Sequence, residues 1–162
     1  MAPEFDIHMI MERQKRVLKN AWYASASTLI IYLLLPHFIL ASHKLPVASN
    51  ISARLRIVLW LVAFIELVIL LGWKRFMLSP ERLIAAANNN PTVALAHYLG
   101  KSAAAFAMAN SIAVYGLALA LVGSYFLDQY ILTLIALILL AYLYPSSGTW
   151  QRIARTKSSR ED

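Results

Sequence analysis

The chain has 162 residues, of which 60% are hydrophobic and only 14% are charged, and it carries a formal net charge of +7. Soluble domains contain about 25% charged residues, so this composition indicates a single membrane unit and leaves no length for several soluble domains. The absence of cysteine excludes disulfides, thiolate metal sites and cysteine nucleophiles. The basic residues cluster at the ends of apolar runs, which favours roles in topology and lipid contact over nucleic-acid binding.

The first nine residues have the character of translated cloning sites. Glu4-Phe5, Asp6-Ile7 and His8-Met9 are the residue pairs that adjoining restriction sites encode in frame. We therefore interpret residues 1–9 as an expression tag and residues 10–20 as a basic cytoplasmic segment.

Four apolar runs separated by short polar breaks follow, at about residues 21–41, 55–73, 93–126 and 130–144. About 20 residues cross a bilayer as a helix, so the second and third runs are long enough and the fourth is marginal. None of the runs shows the apolar–polar alternation of a membrane β-barrel. The predicted fold class is all-α: a polytopic membrane protein with a four-transmembrane-helix bundle over residues 21–145 and a basic tail at 146–162.

The break between the second and third runs contains a helix-start pattern. Ser79-Pro80-Glu81-Arg82 offers a capping hydroxyl, a proline for the first turn and an acid near the positive end of the helix dipole. We predict a short interfacial helix here, which ends at residues 88–91. The alternative is a solvated loop with one helical turn.

The distribution of basic residues predicts the orientation. Twelve of them precede the first run, lie between the second and third runs, or follow the fourth, whereas only Lys44, Arg54 and Arg56 lie on the other side. Basic residues stay in the cytoplasm, so we expect a multi-pass protein of the bacterial inner membrane with both termini cytoplasmic. Five of the cytoplasmic cations are candidate contacts for lipid headgroups: Lys74, Arg75, Arg82, Arg152 and Arg155.

The third run carries small residues at helical spacing, namely Ala105, Ala109, Ala113, Gly116 and Ala120. These residues fall on one face of a helix, and small side chains allow two helix backbones to approach closely in a membrane. We predict a helix-packing face, which serves either another span of the same chain or a second copy.

The stretch from Asn110 to Leu117, Asn-Ser-Ile-Ala-Val-Tyr-Gly-Leu, is followed by an apolar tail. It resembles the C-terminal helix of the rotor-ring proteolipid, the c subunit of rotary ATP synthases. That helix has a proton-carrying acid, then small and branched residues, then Tyr-Gly-Leu, and Pro91 stands about where the family has the proline of its polar loop. The resemblance covers about 35 residues and places Asn110, which cannot carry a proton, at the acid position. The bulky second run, with Trp60 and Phe64, also departs from the family's glycine-rich partner helix.

Glu66 lies inside the second apolar run, where an ionisable side chain costs roughly 2.5–3.5 kcal/mol. It is either a proton- or ion-binding group, or a structural acid that is hydrogen-bonded to a neighbouring helix or a partner subunit. Its separation from Lys74, and that of Asn110 from Lys101, place Glu66 and Asn110 at similar depth. The candidate proton or ion site is therefore Glu66 with Asn110, and a hydrogen bond between them is geometrically allowed.

The sequence contains no serine elbow, no HExxH motif and no phosphate loop, and its histidines lack metal-ligand spacing. We therefore expect no enzyme activity, no metal and no cofactor. The leading hypothesis is a non-enzymatic assembly or accessory subunit. Through its third run it would form a homo-oligomer or join a larger membrane complex, with membrane lipids as its other partners. The alternative is a proton- or cation-coupled transporter or channel subunit that uses Glu66.

Overall fold

The computed structural model describes residues 3–42, 49–88, 90–145 and 147–155. These residues contain no strand and form six helices: α1 Pro3–Ser42, α2 Ser49–Phe76, α3 Pro80–Ala86, α4 Pro91–Gly123, α5 Phe126–Tyr142 and α6 Ser147–Arg155. The predicted all-α class is confirmed.

Three stretches are long and apolar enough to cross a membrane: Met9–Phe38 in α1, Ala53–Phe76 in α2, and Pro91–Gly123, which is α4. The helix α5 is also apolar but has only 17 residues. It is therefore about 25 Å long, slightly shorter than a hydrocarbon core of about 30 Å. The chain has the build of a multi-pass membrane protein, with three helices of spanning length and a shorter fourth.

The central helix is α4, against which α1, α2 and α5 all pack. In its most apolar window 44% of the residues are buried inside the protein, compared with 11% for α1 and for α2. Side-chain size explains the difference, because alanine and glycine on α4 let the neighbouring backbones come close. The bulky side chains of α1 and α2 point outwards instead: Ile31, Ile57 and Phe64 are each more than half exposed.

The end of the molecule that holds α3 and α6 has its own group of buried side chains. Leu18 of α1, Leu83 of α3 and Trp150 of α6 are at most 1% exposed, and the Tyr98 ring of α4 meets Trp150 edge to face at 5.0 Å. Residues 147–155, which the sequence assigns to a basic tail, therefore form a helix that packs on α1, α3 and α4. The rest of that tail lies outside the described residues.

The predicted short helix between the second and third runs is α3, but its start differs from the expectation. Ser79 occupies the cap position with an extended backbone, and its hydroxyl makes no capping hydrogen bond. The next helix, α4, does have a side-chain cap: Asn90 Oδ1 accepts hydrogen bonds from the N–H groups of Thr92 and Val93, at 3.0 and 3.4 Å. That cap fixes where the central helix begins.

The helix α4 ends at Gly123, three residues before the predicted end of the third run at residue 126. Ser124 adopts a left-handed backbone with φ of 55°, and its N–H bonds to the carbonyl oxygen of Ala120. Since a left-handed residue cannot continue a right-handed helix, the chain turns there and α5 begins at Phe126.

Candidate functional site

Glu66 lies in the middle of α2 and is hydrogen-bonded across the helix interface to α4. Its Oε2 atom is 2.6 Å from Ser111 Oγ, and its Oε1 atom accepts a hydrogen bond from the Tyr115 hydroxyl at 2.8 Å. Ser111 and Tyr115 are four residues apart and therefore lie on the same face of α4. The carboxyl group is partly buried, and both of its oxygens have a partner.

Ser111 has two neighbours that compete for its hydroxyl hydrogen. Its Oγ is 2.7 Å from the Met108 carbonyl oxygen, one turn back on α4, in addition to the 2.6 Å contact with Glu66. A hydroxyl has one hydrogen to donate and two lone pairs that accept. The hydrogen bonds at the site therefore depend on whether Glu66 carries a proton.

No cation lies beside Glu66 in the described part of the chain. Along α2, Arg56 comes ten residues earlier and Lys74 eight residues later, which is about 15 and 12 Å of helical rise. Arg56 pairs with Asp128, and Lys74 donates to the Tyr142 carbonyl oxygen. The hydrogen-bond partners that the structure gives Glu66 are thus two neutral hydroxyl groups.

Asn110 is not a partner of Glu66, so the hydrogen bond considered from the sequence is not formed. The Asn110 amide donates to the Phe106 carbonyl oxygen of its own helix at 3.1 Å, and its buried Oδ1 has no partner. The residue that faces α2 is the next one, Ser111, since consecutive helical residues point in different directions. The contact with Ser111 brings Glu66 to the residue next to Asn110 along α4, but the sequence does not give the rotation of α4 about its axis.

The small-residue face of α4 packs inside the chain. Ala105, Ala109, Ala113 and Ala120 are 0% exposed. A Cβ atom added to Gly116 would lie 3.0 Å from Gln129 Cα and 3.2 Å from the Gln129 carbonyl oxygen of α5. Of the two uses that the sequence left open, this structure shows packing against other helices of the same chain.

Sequence reasoning missed an ion pair that joins α2 to α5. Arg56 Nε lies 2.6 Å from Asp128 Oδ2, Arg56 also donates to Oδ1 at 3.0 Å, and its guanidinium stacks over the Tyr125 ring at 4.9 Å. Asp128 is almost completely buried. The sequence signal that could have revealed this pair is Asp128 itself, an acid in the short break between the third and fourth apolar runs. An acid that becomes buried there requires a cationic partner.

Two further polar contacts hold α1 against α5 near the same end. His37 Nε2 lies 2.6 Å from the Tyr130 hydroxyl, and the Gln129 side chain donates to the Tyr32 carbonyl oxygen at 2.7 Å. These two contacts join α1 to the first turns of α5, and the Arg56–Asp128 pair joins α2 to the same turns.

The five predicted headgroup contacts are not equivalent. Lys74 lines a crevice, whereas Arg75 and Arg152 are exposed and Arg82 lies 5.2 Å from the ring of Phe76. Only the backbone of Arg155 belongs to the described part of the chain. Lys74 is therefore the member of this set that lines the crevice described below.

Among the side chains that the structure describes, no group of three or more His, Asp or Glu residues is arranged to hold a metal ion. Comparison with known proteins adds no assignment: no family model, no curated protein and no solved structure matches this chain.

Proposed function

We propose that this chain is a proton-handling subunit of a membrane transporter or channel, and that Glu66 is the group that binds the proton. The observation that carries the proposal is the pair of hydroxyl contacts, from Ser111 and Tyr115, to a carboxyl group in the middle of a membrane-length helix. Ionisable residues within membrane spans are costly and are used in proton and ion pathways.

Hydrogen counting favours a protonated Glu66. With the proton on Oε2, Glu66 donates to Ser111 Oγ, Ser111 donates its single hydrogen to the Met108 carbonyl oxygen, and Tyr115 donates to Glu66 Oε1. Each of these three oxygen–oxygen contacts then contains one hydrogen. Without that proton, the single Ser111 hydrogen can serve only one of its two neighbours. Either the Met108 contact loses its hydrogen, or a carboxylate with no cation beside it loses a donor.

The distance between the Glu66 and Ser111 oxygens is that of a hydrogen bond. Glu66 Oε2 and Ser111 Oγ are 2.6 Å apart. Adjacent oxygen ligands of an octahedral Mg²⁺ site, with bonds of 2.0–2.1 Å, are separated by about 2.9 Å, and those of the larger Ca²⁺ by more. A hydrogen fits between the two oxygens as they stand, whereas a metal ion requires them to move apart.

The stretch of α4 that resembles the rotor-ring proteolipid is the stretch that faces Glu66. Asn110 replaces the acid in that stretch, but α2 brings a carboxyl group to the next residue, Ser111. This juxtaposition supports a proton-carrying role.

The proposed topology follows from the basic residues. With both termini in the cytoplasm of a bacterial inner membrane, α3 and α6 lie on the cytoplasmic side and the Arg56–Asp128 pair lies on the outer side. Glu66 is then about 12 Å from the cytoplasmic end of its span, as measured to Lys74.

Infrared spectroscopy of the protein in lipid vesicles tests the proton proposal. Wild type should show the carbonyl band of a protonated carboxyl group at neutral pH, and the band should be missing in Glu66→Gln. The matched control is Glu81→Gln, which changes an exposed acid on α3 and should leave the band intact. A band that is unaffected by Glu66→Gln would refute protonation of Glu66. A Glu66 band that does not shift during prolonged exposure to heavy water would mark a structural acid without access to protons.

A second candidate function is the non-enzymatic assembly subunit, and the exposed apolar surface of α1 and α2 is the observation that favours it. Since the small-residue face of α4 is occupied inside the chain, contact with a second copy or a larger complex would use these outer faces, which carry Ile31, Ile57 and Phe64. Native mass spectrometry from lipid nanodiscs should then release oligomers or complexes. Release of a monomer alone would count against assembly.

A further inference from the structure

A crevice of about 180 Å³ lies where α2 and α5 end and α3 and α6 begin. On this measure a cavity of about 10–15 Å³ already holds one water molecule, so the crevice is large enough for a phosphate group but not for a whole lipid. Its lining combines a cation and hydroxyl groups with aliphatic side chains, including Lys74, Ser79, Tyr98 and Thr149 together with Leu78 and Leu143. Such a mixed lining fits an amphipathic molecule.

Lys74 provides positive charge at this crevice. Its ammonium donates to the Tyr142 carbonyl oxygen at 2.6 Å and lies 4.4 Å from the centre of the Tyr142 ring. An ammonium has three donor hydrogens, and the Tyr142 carbonyl takes one. No carboxylate among the described side chains forms a salt bridge with Lys74, so its charge is available to an anion.

Ser79 adds an unsatisfied hydroxyl to the same crevice. Its Oγ is buried and has no hydrogen-bond partner, and it does not cap α3. A buried polar group without a partner is destabilising, so an acceptor at this position would be stabilising. Since Ser79 lines the same crevice as Lys74, its hydroxyl is a second donor for an anion bound there.

The depth of the crevice indicates the source of the anion. Lys74 is the first charged residue after the apolar part of α2, and Tyr142 and Tyr144 lie at the end of the fourth apolar run. Basic and aromatic side chains collect at the level of the lipid headgroups. From this placement we infer that the crevice binds the phosphate group of a membrane phospholipid, with Lys74 as the cation and Ser79 as a second donor, while the acyl chains lie outside along the helices.

Native mass spectrometry with added lipid tests the inference on the purified full chain in mild detergent. The probes are phosphatidylglycerol, a diacylglycerol of the same acyl chains without phosphate, and inorganic phosphate alone. Wild type should bind phosphatidylglycerol and not the diacylglycerol. Lys74→Gln should weaken that binding about tenfold, and Ser79→Ala about threefold, as expected for one charge-assisted and one neutral hydrogen bond.

Arg75→Gln is the matched control, because it removes the neighbouring charge from an exposed side chain that does not line the crevice. It should bind phosphatidylglycerol as wild type does, and Lys74→Arg should restore the binding that Lys74→Gln loses. Equal binding by Lys74→Gln and wild type would overturn the assignment. Binding of inorganic phosphate that displaces the lipid would overturn the membrane source and indicate a site for a soluble phosphate.

Discussion

Ser111 connects the protonation state of Glu66 to the backbone of α4. When Glu66 is protonated, the Ser111 hydrogen is used by the Met108 carbonyl oxygen; when Glu66 loses its proton, that hydrogen is drawn to the carboxylate. The proposed site therefore has two hydrogen-bond arrangements. They differ by the presence of the Glu66 proton and by the direction of the Ser111 hydroxyl hydrogen.

Tyr115 and Ser111 should have different effects on the Glu66 carbonyl band. In the protonated arrangement Tyr115 donates to the carbonyl oxygen Oε1, whereas Ser111 accepts from the hydroxyl oxygen Oε2. Tyr115→Phe should therefore raise the carbonyl stretching frequency, and Ser111→Ala should change it much less. Each variant should lose about 1 kcal/mol of stability. Infrared spectra in vesicles check this; a larger carbonyl shift in Ser111→Ala would show that the proton lies on the other oxygen.

The sequence was sufficient to single out Glu66 as a candidate site residue, but not to identify the residues that form hydrogen bonds with it. A carboxylate in an apolar run is visible in any hydropathy pattern, and the helical rise gives its depth. Choosing Ser111 over Asn110 requires the rotation of α4 about its axis, which depends on how α4 packs against α1, α2 and α5. That packing depends on the tertiary structure.

At the level of helices, Gly116 allows the closest approach between α4 and α5. A methyl group there meets the backbone of Gln129, which cannot move aside as a flexible side chain could. Gly116→Ala should therefore destabilise the protein by about 1–3 kcal/mol, the usual cost of overpacking. Thermal unfolding in detergent or bicelles measures the change.

Gly100→Ala is the internal control for this experiment. Gly100 is also in α4, but a Cβ atom there meets nothing within 4 Å, so the variant should be at least as stable as wild type because alanine favours helix. If Gly116→Ala proved as stable as Gly100→Ala, the close contact between α4 and α5 would be wrong.

The Arg56–Asp128 pair should contribute to the attachment of α2 to α5. Asp128→Asn and Arg56→Gln should each lower Tm, and the double variant should lower it by less than the sum, because both changes remove the same interaction. Strict additivity in this double-mutant cycle would show that the two side chains do not interact. The Lys15–Glu12 contact on the surface of α1 is a suitable comparison, since an exposed pair of this kind contributes little.

Hydropathy located the long helices well, because a run of about 20 apolar residues has few other uses. It did not locate α6, whose burial depends on Leu18 and Leu83 from other parts of the chain. Hydropathy also placed the end of the third span too late, beyond Gly123. The chain turns there because Ser124 has a left-handed backbone, and the apolar character of the sequence does not change at that point.

At the scale of the whole molecule, orientation is the prediction that can be tested most directly, because the chain contains no cysteine. Single cysteines can be introduced at Arg54, at the start of α2, and at Glu81, on α3, both of which are exposed. With a membrane-impermeant maleimide, Arg54→Cys should be labelled in intact cells and Glu81→Cys only after lysis. The reverse pattern would invert the proposed topology.

The 17 residues of α5 also have a consequence for the membrane in which this protein is stable. At about 25 Å, α5 matches a thin bilayer, whereas α4, with 33 residues, exceeds every common bilayer thickness. In a thicker bilayer the hydrocarbon would reach Asp128 at one end of α5, and the bilayer must then become thinner around this face of the protein. Hydrophobic mismatch would thus be concentrated on one side of the molecule, so lipids with shorter acyl chains should gather beside α5.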